Sequence, residues 1–154
     1  MLPCERTHRI TLHASIERVF PLFTPLGEKL WVAGWEPEFL HPPTGKTSEL
    51  MVFRTGTGEQ ETLWSCVDWQ PQKHFARYVR VTPSSRFGFV DIQGRSVSDA
   101  TSEITVTYRY VALTKAGESD LAALSEAAFQ AMIDDWQVKV GAWLRDNPHT
   151  AIPH

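Results

Sequence analysis

The sequence predicts an α+β fold in which a curved antiparallel sheet of about six to seven strands wraps around one long C-terminal helix, with two short helices after the first strand. Two observations carry this. Over residues 119–145, Leu121, Leu124, Ala128, Met132, Trp136 and Trp143 recur at steps of three, four and seven, and Phe129, Ile133 and Val140 widen the stripe. Glu118, Asp120, Glu126, Asp134, Asp135, Lys139 and Arg145 occupy the other side. Nearly everything before this helix reads as strand, so its natural partner is a sheet of equal extent, and at ~1.5 Å per residue the helix would be about 40 Å long. A helix gripped by a curved sheet can leave a cavity between them, which is the best lead to function.

The elements follow in order. Residues 7–14 alternate, with Ile10 and Leu12 on one side and Arg9, Thr11 and His13 on the other, as in a half-buried strand. Ser15 offers a helix cap, and Ile16, Val19, Phe20 and Phe23 follow at helical spacing until Pro21 interrupts the ladder. Thr24 and Pro25 are a cap and first helical residue for a second short helix reaching about Leu30 or Trp31. From Val32 to Ser48 no period holds, and Pro37, Pro42, Pro43 and Gly45 break regular structure. The segment around it still carries Trp31, Trp35, Phe39, Leu40 and His41, so it is expected to fold down as a lid on the cavity.

Strands at 50–55 and 60–69 are joined by the turn GTGE, and strands at 75–81 and 87–93 by a turn around TPSS. GRSVSDATS reads as a polar loop, and 102–113 as the longest strand, with Ile104, Val106, Tyr108 and Tyr110 on one side. By size the 154 residues make one domain, with 1–6 and 147–154 as loose ends.

Composition excludes several classes. A net charge of −3 with scattered arginines gives no basic surface for nucleic acid, and no apolar run approaches the ~20 residues needed to span a membrane. No secretory leader is visible at the start, which places the chain in the cytoplasm. Cys4, in a terminal arm, and Cys66, within a strand, have no metal spacing, and the six histidines form no ligand motif, so neither metal nor cofactor is expected. There is no Gly-x-Ser-x-Gly elbow, and GTGEQE lacks the Gly-Lys-Ser/Thr of a phosphate loop.

The element order, together with VFPLFTPLGEKLWVAGWEPEFLHP at 19–42, WSCVDWQP at 64–71 and ITVTYRYVALTKAG at 104–117, resembles the START-like superfamily, also called the helix-grip or polyketide cyclase and lipid-transport group. The resemblance covers residues 7–146 and implies a cup used elsewhere by lipid carriers, hormone receptors and aromatase/cyclases. It carries over no catalytic residue, because these proteins share no catalytic motif.

Candidate ligand contacts are Trp31, Trp35, His41, Trp64, Arg77, Asp91, Tyr108, Tyr110, Phe129, Met132, Ile133 and Trp136. Arg77 shares parity with Phe75, Val79 and Val81, so it is expected on the apolar, cavity-facing side. A five-residue turn after Val81 sets Arg77 across from Asp91, whereas a four-residue turn sets it across from Val90. The first functional expectation is a small apolar or aromatic ligand in a pocket above about 300 Å³. The second is a cyclase- or dehydratase-like enzyme working through Arg77, Asp91, His41 and the tyrosines. The third is a regulatory module presenting an exposed apolar patch. Homodimerisation through a sheet edge is left open.

Overall fold

A computed structural model of the chain describes residues 3–154. Seven strands form one antiparallel sheet: β1 (Cys4–Leu12), β2 (Glu38–His41), β3 (Val52–Thr55), β4 (Thr62–Gln70), β5 (Phe75–Thr82), β6 (Arg86–Ser98) and β7 (Thr101–Ala112). Their order across the sheet is β1-β7-β6-β5-β4-β3-β2. Four helices accompany it: α1 (Ile16–Val19), α2 (Pro25–Glu28), α3 (Lys115–Ala123) and α4 (Glu126–Asp146). Ile10, Leu12, Phe53, Ile104 and Val106 on the inner face of the curved sheet bury against Val19, Phe23, Phe129, Ile133 and Val140.

Local chemistry explains the helix ends. Pro21 sits in a 3-10 turn at Phe20–Phe23 that separates α1 from α2. Thr24 caps α2 as expected, its Oγ1 accepting from the Gly27 N–H at 3.1 Å. Gly27 is required there by close approach, because a Cβ would lie 1.9 Å from the Pro21 carbonyl oxygen.

Several expectations need correction. The single long helix is two: Leu124 leaves helical geometry, and Ser125 caps a new helix by accepting from Ala128 N–H at 3.1 Å. The apolar stripe runs through this break because Leu121 and Phe129 both reach the core, which hides the interruption in the sequence. At ~1.5 Å per residue, α4 alone is about 30 Å long. The polar segment 94–102 is not a loop but the distal end of the β6–β7 hairpin, whose pairing continues to Ser98 and Thr101. The segment 32–48 contains an edge strand, β2, and Cys4 opens β1 opposite Tyr110 rather than lying in a loose arm. At the other end, Arg18 donates to the carbonyls of Asn147 (2.8 Å) and Thr150 (3.1 Å), which ties down the expected loose end. Residues 1–2 of the expected N-terminal fray lie outside the described residues.

Among the described residues no helix is long and apolar enough to cross a membrane, and no group of three or more His, Cys, Asp or Glu side chains could hold a metal ion.

Candidate functional site

A cavity of about 190 Å³ lies between the inner face of the sheet and the segment from α2 to Trp35, with Trp136 of α4 closing one side. Its wall is mostly aromatic. Trp31 packs on Trp136 at 5.8 Å between ring centroids and on Phe23 at 5.6 Å. Trp35 meets Trp64 at 5.9 Å, and Phe53 stacks nearly parallel on Trp64 at 5.6 Å. The indole N–H groups are anchored, Trp31 to the Leu22 carbonyl (2.7 Å), Trp35 to the Pro25 carbonyl (2.9 Å) and Trp64 to Thr55 Oγ1 (3.0 Å). These rings are a fixed wall rather than loose cover.

Four polar side chains break this surface: Glu28 from α2, Tyr78 and Arg80 from β5, and Tyr108 from β7. Arg80 lies over the ring of Trp64 at 4.7 Å and near that of Tyr110 at 5.6 Å. Its Nη2 donates to Thr82 Oγ1 at 2.9 Å and to Thr62 Oγ1 at 3.5 Å, yet its buried Nε has no acceptor. Gly88 makes this placement feasible: it pairs with Arg80 on one side and Tyr110 on the other, and contributes no side chain between them. The buried Tyr78 hydroxyl also has no partner among the described residues. An unpaired buried donor costs about 1–3 kcal/mol, so both atoms are suited to a ligand acceptor.

Glu28 makes no side-chain hydrogen bond or ion pair among the described residues. Burial pushes its carboxyl up from the usual carboxylate range to about 8. Burial also raises the Tyr78 and Tyr108 phenols well above their ordinary value, and the Glu28 charge pushes both in the same direction. Tyr110 is raised by burial, an effect opposed by Arg80 and Arg86. The Cys66 thiol is pushed to about 12, chiefly by burial, which makes it an inert core group.

A wider groove of about 690 Å³ runs beside Leu12–Arg18 and the second half of α4. It lacks an aromatic wall, and Arg18 within it is already engaged by backbone carbonyls.

No protein-family model matches the chain, and no curated protein matches its sequence. Solved structures do. The norcoclaurine synthase of Thalictrum flavum, in complex with dopamine and hydroxybenzaldehyde, superposes with a TM-score of 0.67 at 10% identity, over 97% of this chain and 90% of that one. The Zhui aromatase/cyclase of Streptomyces sp. R1128 matches with a TM-score of 0.64 at 14% identity, over 99% and 100%. The di-domain aromatase/cyclase BexL of the BE-7585A biosynthetic pathway matches with a TM-score of 0.68 at 14% identity, over 97% of this chain and 48% of that one. The chain has the helix-grip fold. At these identities the likeness establishes architecture, and chemistry must be read from the side chains.

The helix-grip cavity gathers five of the expected residues: Trp31, Trp35, Trp64, Tyr108 and Trp136. Tyr110 and Phe129 are buried beside it, with Tyr108 packed on Tyr110 at 5.0 Å and on Phe129 at 4.9 Å. Ile133 is in the core and Met132 packs against it, neither reaching the cavity. His41 is exposed on β2 and does not enter the lining.

Arg77 and Asp91 do face each other, in the register of the five-residue turn, with Nε to Oδ1 at 2.7 Å and Nη2 to Oδ2 at 2.8 Å. They lie on the outer face, however, not toward the cavity. The inward residues of β5 are Ala76, Tyr78, Arg80 and Thr82, while Phe75, Val79 and Val81 point outward beside Arg77. Strand β5 is more apolar outside than inside, so hydrophobic alternation assigned its faces in reverse. Sequence reading therefore missed Tyr78 and Arg80, although that same inverted alternation was a signal. It missed Glu28 because the burial of Glu28 depends on strands distant in the chain.

Proposed function

We propose that the protein binds a one-ring aromatic molecule bearing a hydrogen-bond acceptor, enclosed between the sheet and the helices. The observation that carries this reading is an aromatic-lined cavity bounded by Tyr78 and Arg80, two side chains that each hold a buried donor, Oη and Nε, with no partner among the described residues. Rings of Trp31, Trp64 and Trp136 supply the apolar contact, and the two donors fix the orientation of the ligand oxygen.

Size narrows the ligand. The cavity's 190 Å³ falls short of the pocket above about 300 Å³ expected from sequence, because four indoles project into the space. A cavity of about 150 Å³ suffices for benzene, so one ring with a short substituent fits, whereas a lipid chain or fused polyketide needs more room. The norcoclaurine synthase structure, with dopamine and hydroxybenzaldehyde, shows this fold holding one-ring aromatics.

Calorimetric titration with acetophenone and ethylbenzene, matched in shape but not in the acceptor oxygen, tests the reading. Acetophenone is expected to bind about tenfold more tightly, as one satisfied buried donor implies. Equal affinity for the two, or no binding of either, would contradict it.

A further inference from the structure

Glu28 has no role in the binding scheme above. It projects from α2 into the same cavity as Arg80 and Tyr78, and among the described residues no hydrogen bond or ion pair holds its carboxyl. It shares the cavity lining with Pro25, Val32, Ile92 and indole rings, a largely apolar setting that disfavours the ionised form relative to water. Across the cavity stands a cation that carries no carboxylate of its own among the described residues: Arg80 is held by two ring faces and two threonine hydroxyls. A carboxyl on α2 facing a cation and a phenol that share the inner face of β5, in one largely apolar chamber, are the parts needed for proton transfer at carbon.

We infer that Glu28 is a proton acceptor that enolises a small aryl alkyl ketone whose carbonyl oxygen is held by Arg80 Nε and Tyr78 Oη. The inference rests on the binding reading above. In the step, a C–H bond next to the carbonyl breaks, and its electron pair forms the C=C bond of an enolate. The carbonyl π pair moves onto oxygen, where the guanidinium and phenol stabilise the charge, and the proton goes to a carboxylate oxygen of Glu28. Return of a proton from Glu28 to carbon regenerates the ketone, so no co-reactant is consumed. In D2O, exchange of the Glu28 carboxyl proton with solvent before the return step replaces hydrogen on that carbon with deuterium.

A carboxyl pushed up to about 8 suits such a role: it is a stronger base than an ordinary carboxylate, with about a tenth ionised at pH 7 and about half at pH 8.

The test is deuterium incorporation into the methyl group of acetophenone in D2O, followed by proton NMR, with bound ketone measured by calorimetry on the same samples. Wild-type protein is expected to accelerate exchange about a hundredfold over buffer, with a rate that rises and levels off through the titration of Glu28. Glu28→Gln should bring exchange per bound ketone to the buffer level and abolish that pH profile. Glu28→Asp, which keeps a carboxyl on a shorter arm, should retain part of the rate. Acetophenone bound without exchange, or exchange per bound ketone undiminished in Glu28→Gln, would overturn the proton-transfer role and leave the binding reading standing. Absence of binding would overturn both.

Discussion

Arg77 and Arg80 stand three residues apart on β5 and illustrate the two faces of the sheet. Arg77 points outward, where Asp91 on the next strand meets it in a two-pronged pair and raises its pKa further. Its Nε and Nη2 are both paired and it lies close to solvent, the usual condition of a structural arginine. Arg80 points inward, has no carboxylate within ion-pair distance among the described residues, and keeps a buried Nε with nothing to donate to. A complete pair indicates stability, whereas an incomplete one in a cavity indicates a ligand. The apolar residues of the outer face make the contrast sharper: Leu63, Val81, Phe87 and Val111 lie in register across β4, β5, β6 and β7.

The largest way to break this contrast is at neighbouring residues of β6. Gly88→Ala would place a Cβ 2.0 Å from the Arg109 carbonyl oxygen and 2.4 Å from the Tyr110 ring. It is expected to lose on the order of 3 kcal/mol of stability in urea unfolding. Phe87→Ala, one residue away on the outer face and 37% exposed, should cost much less, about 1 kcal/mol.

Glu28 provides a pH signature next in size. Its folded pKa of about 8 lies above the ordinary 4.5, so the folded state holds a proton that the unfolded state has released between those values. Stability is therefore expected to be highest at the acid end of that window and to fall as pH rises from 4.5 to 8. Glu28→Gln removes the decline, and at pH 8 it should exceed wild type by roughly 2–4 kcal/mol, since each tenfold difference in proton affinity between the two states is worth ~1.4 kcal/mol. Urea unfolding of both proteins at several pH values checks this, and parallel curves would contradict it.

Arginine exchange comes third. Arg80→Met should weaken acetophenone binding about tenfold, ~1.4 kcal/mol, while Arg77→Met leaves it within about twofold. The smallest effect is on stability: Arg77→Met should lower it by about 1 kcal/mol or less, an amount that shrinks further in high salt. Thermal unfolding at two ionic strengths reads this out.

Much of the architecture was legible because periodicity and turn chemistry are local. Thr24-Pro25 marked the start of α2, and the alternation of Ile104, Val106, Tyr108 and Tyr110 marked the inner face of β7. Ser125 as a cap was equally local but was masked by the continuous apolar stripe around it. The candidate site was legible only in its aromatic half. Tryptophans announce themselves by size wherever they fold, but the facing of β5 is set by pairing with β4 and β6, including the irregularity between Cys66 and Asp68. Hydrophobicity alone placed the wrong arginine inside. The burial of Glu28 is a tertiary property, since the strand residues that enclose it lie far along the chain, from Phe53 to Tyr108.

The most direct test of the central claim is a crystal structure of the protein with acetophenone. The ring is predicted between Trp64 and Trp136 on the inner face, with the ketone oxygen about 3 Å from Tyr78 Oη and Arg80 Nε. A ketone seated on the outer face beside Phe87 and Arg77, or an inner cavity left empty at saturating ligand, would contradict the account.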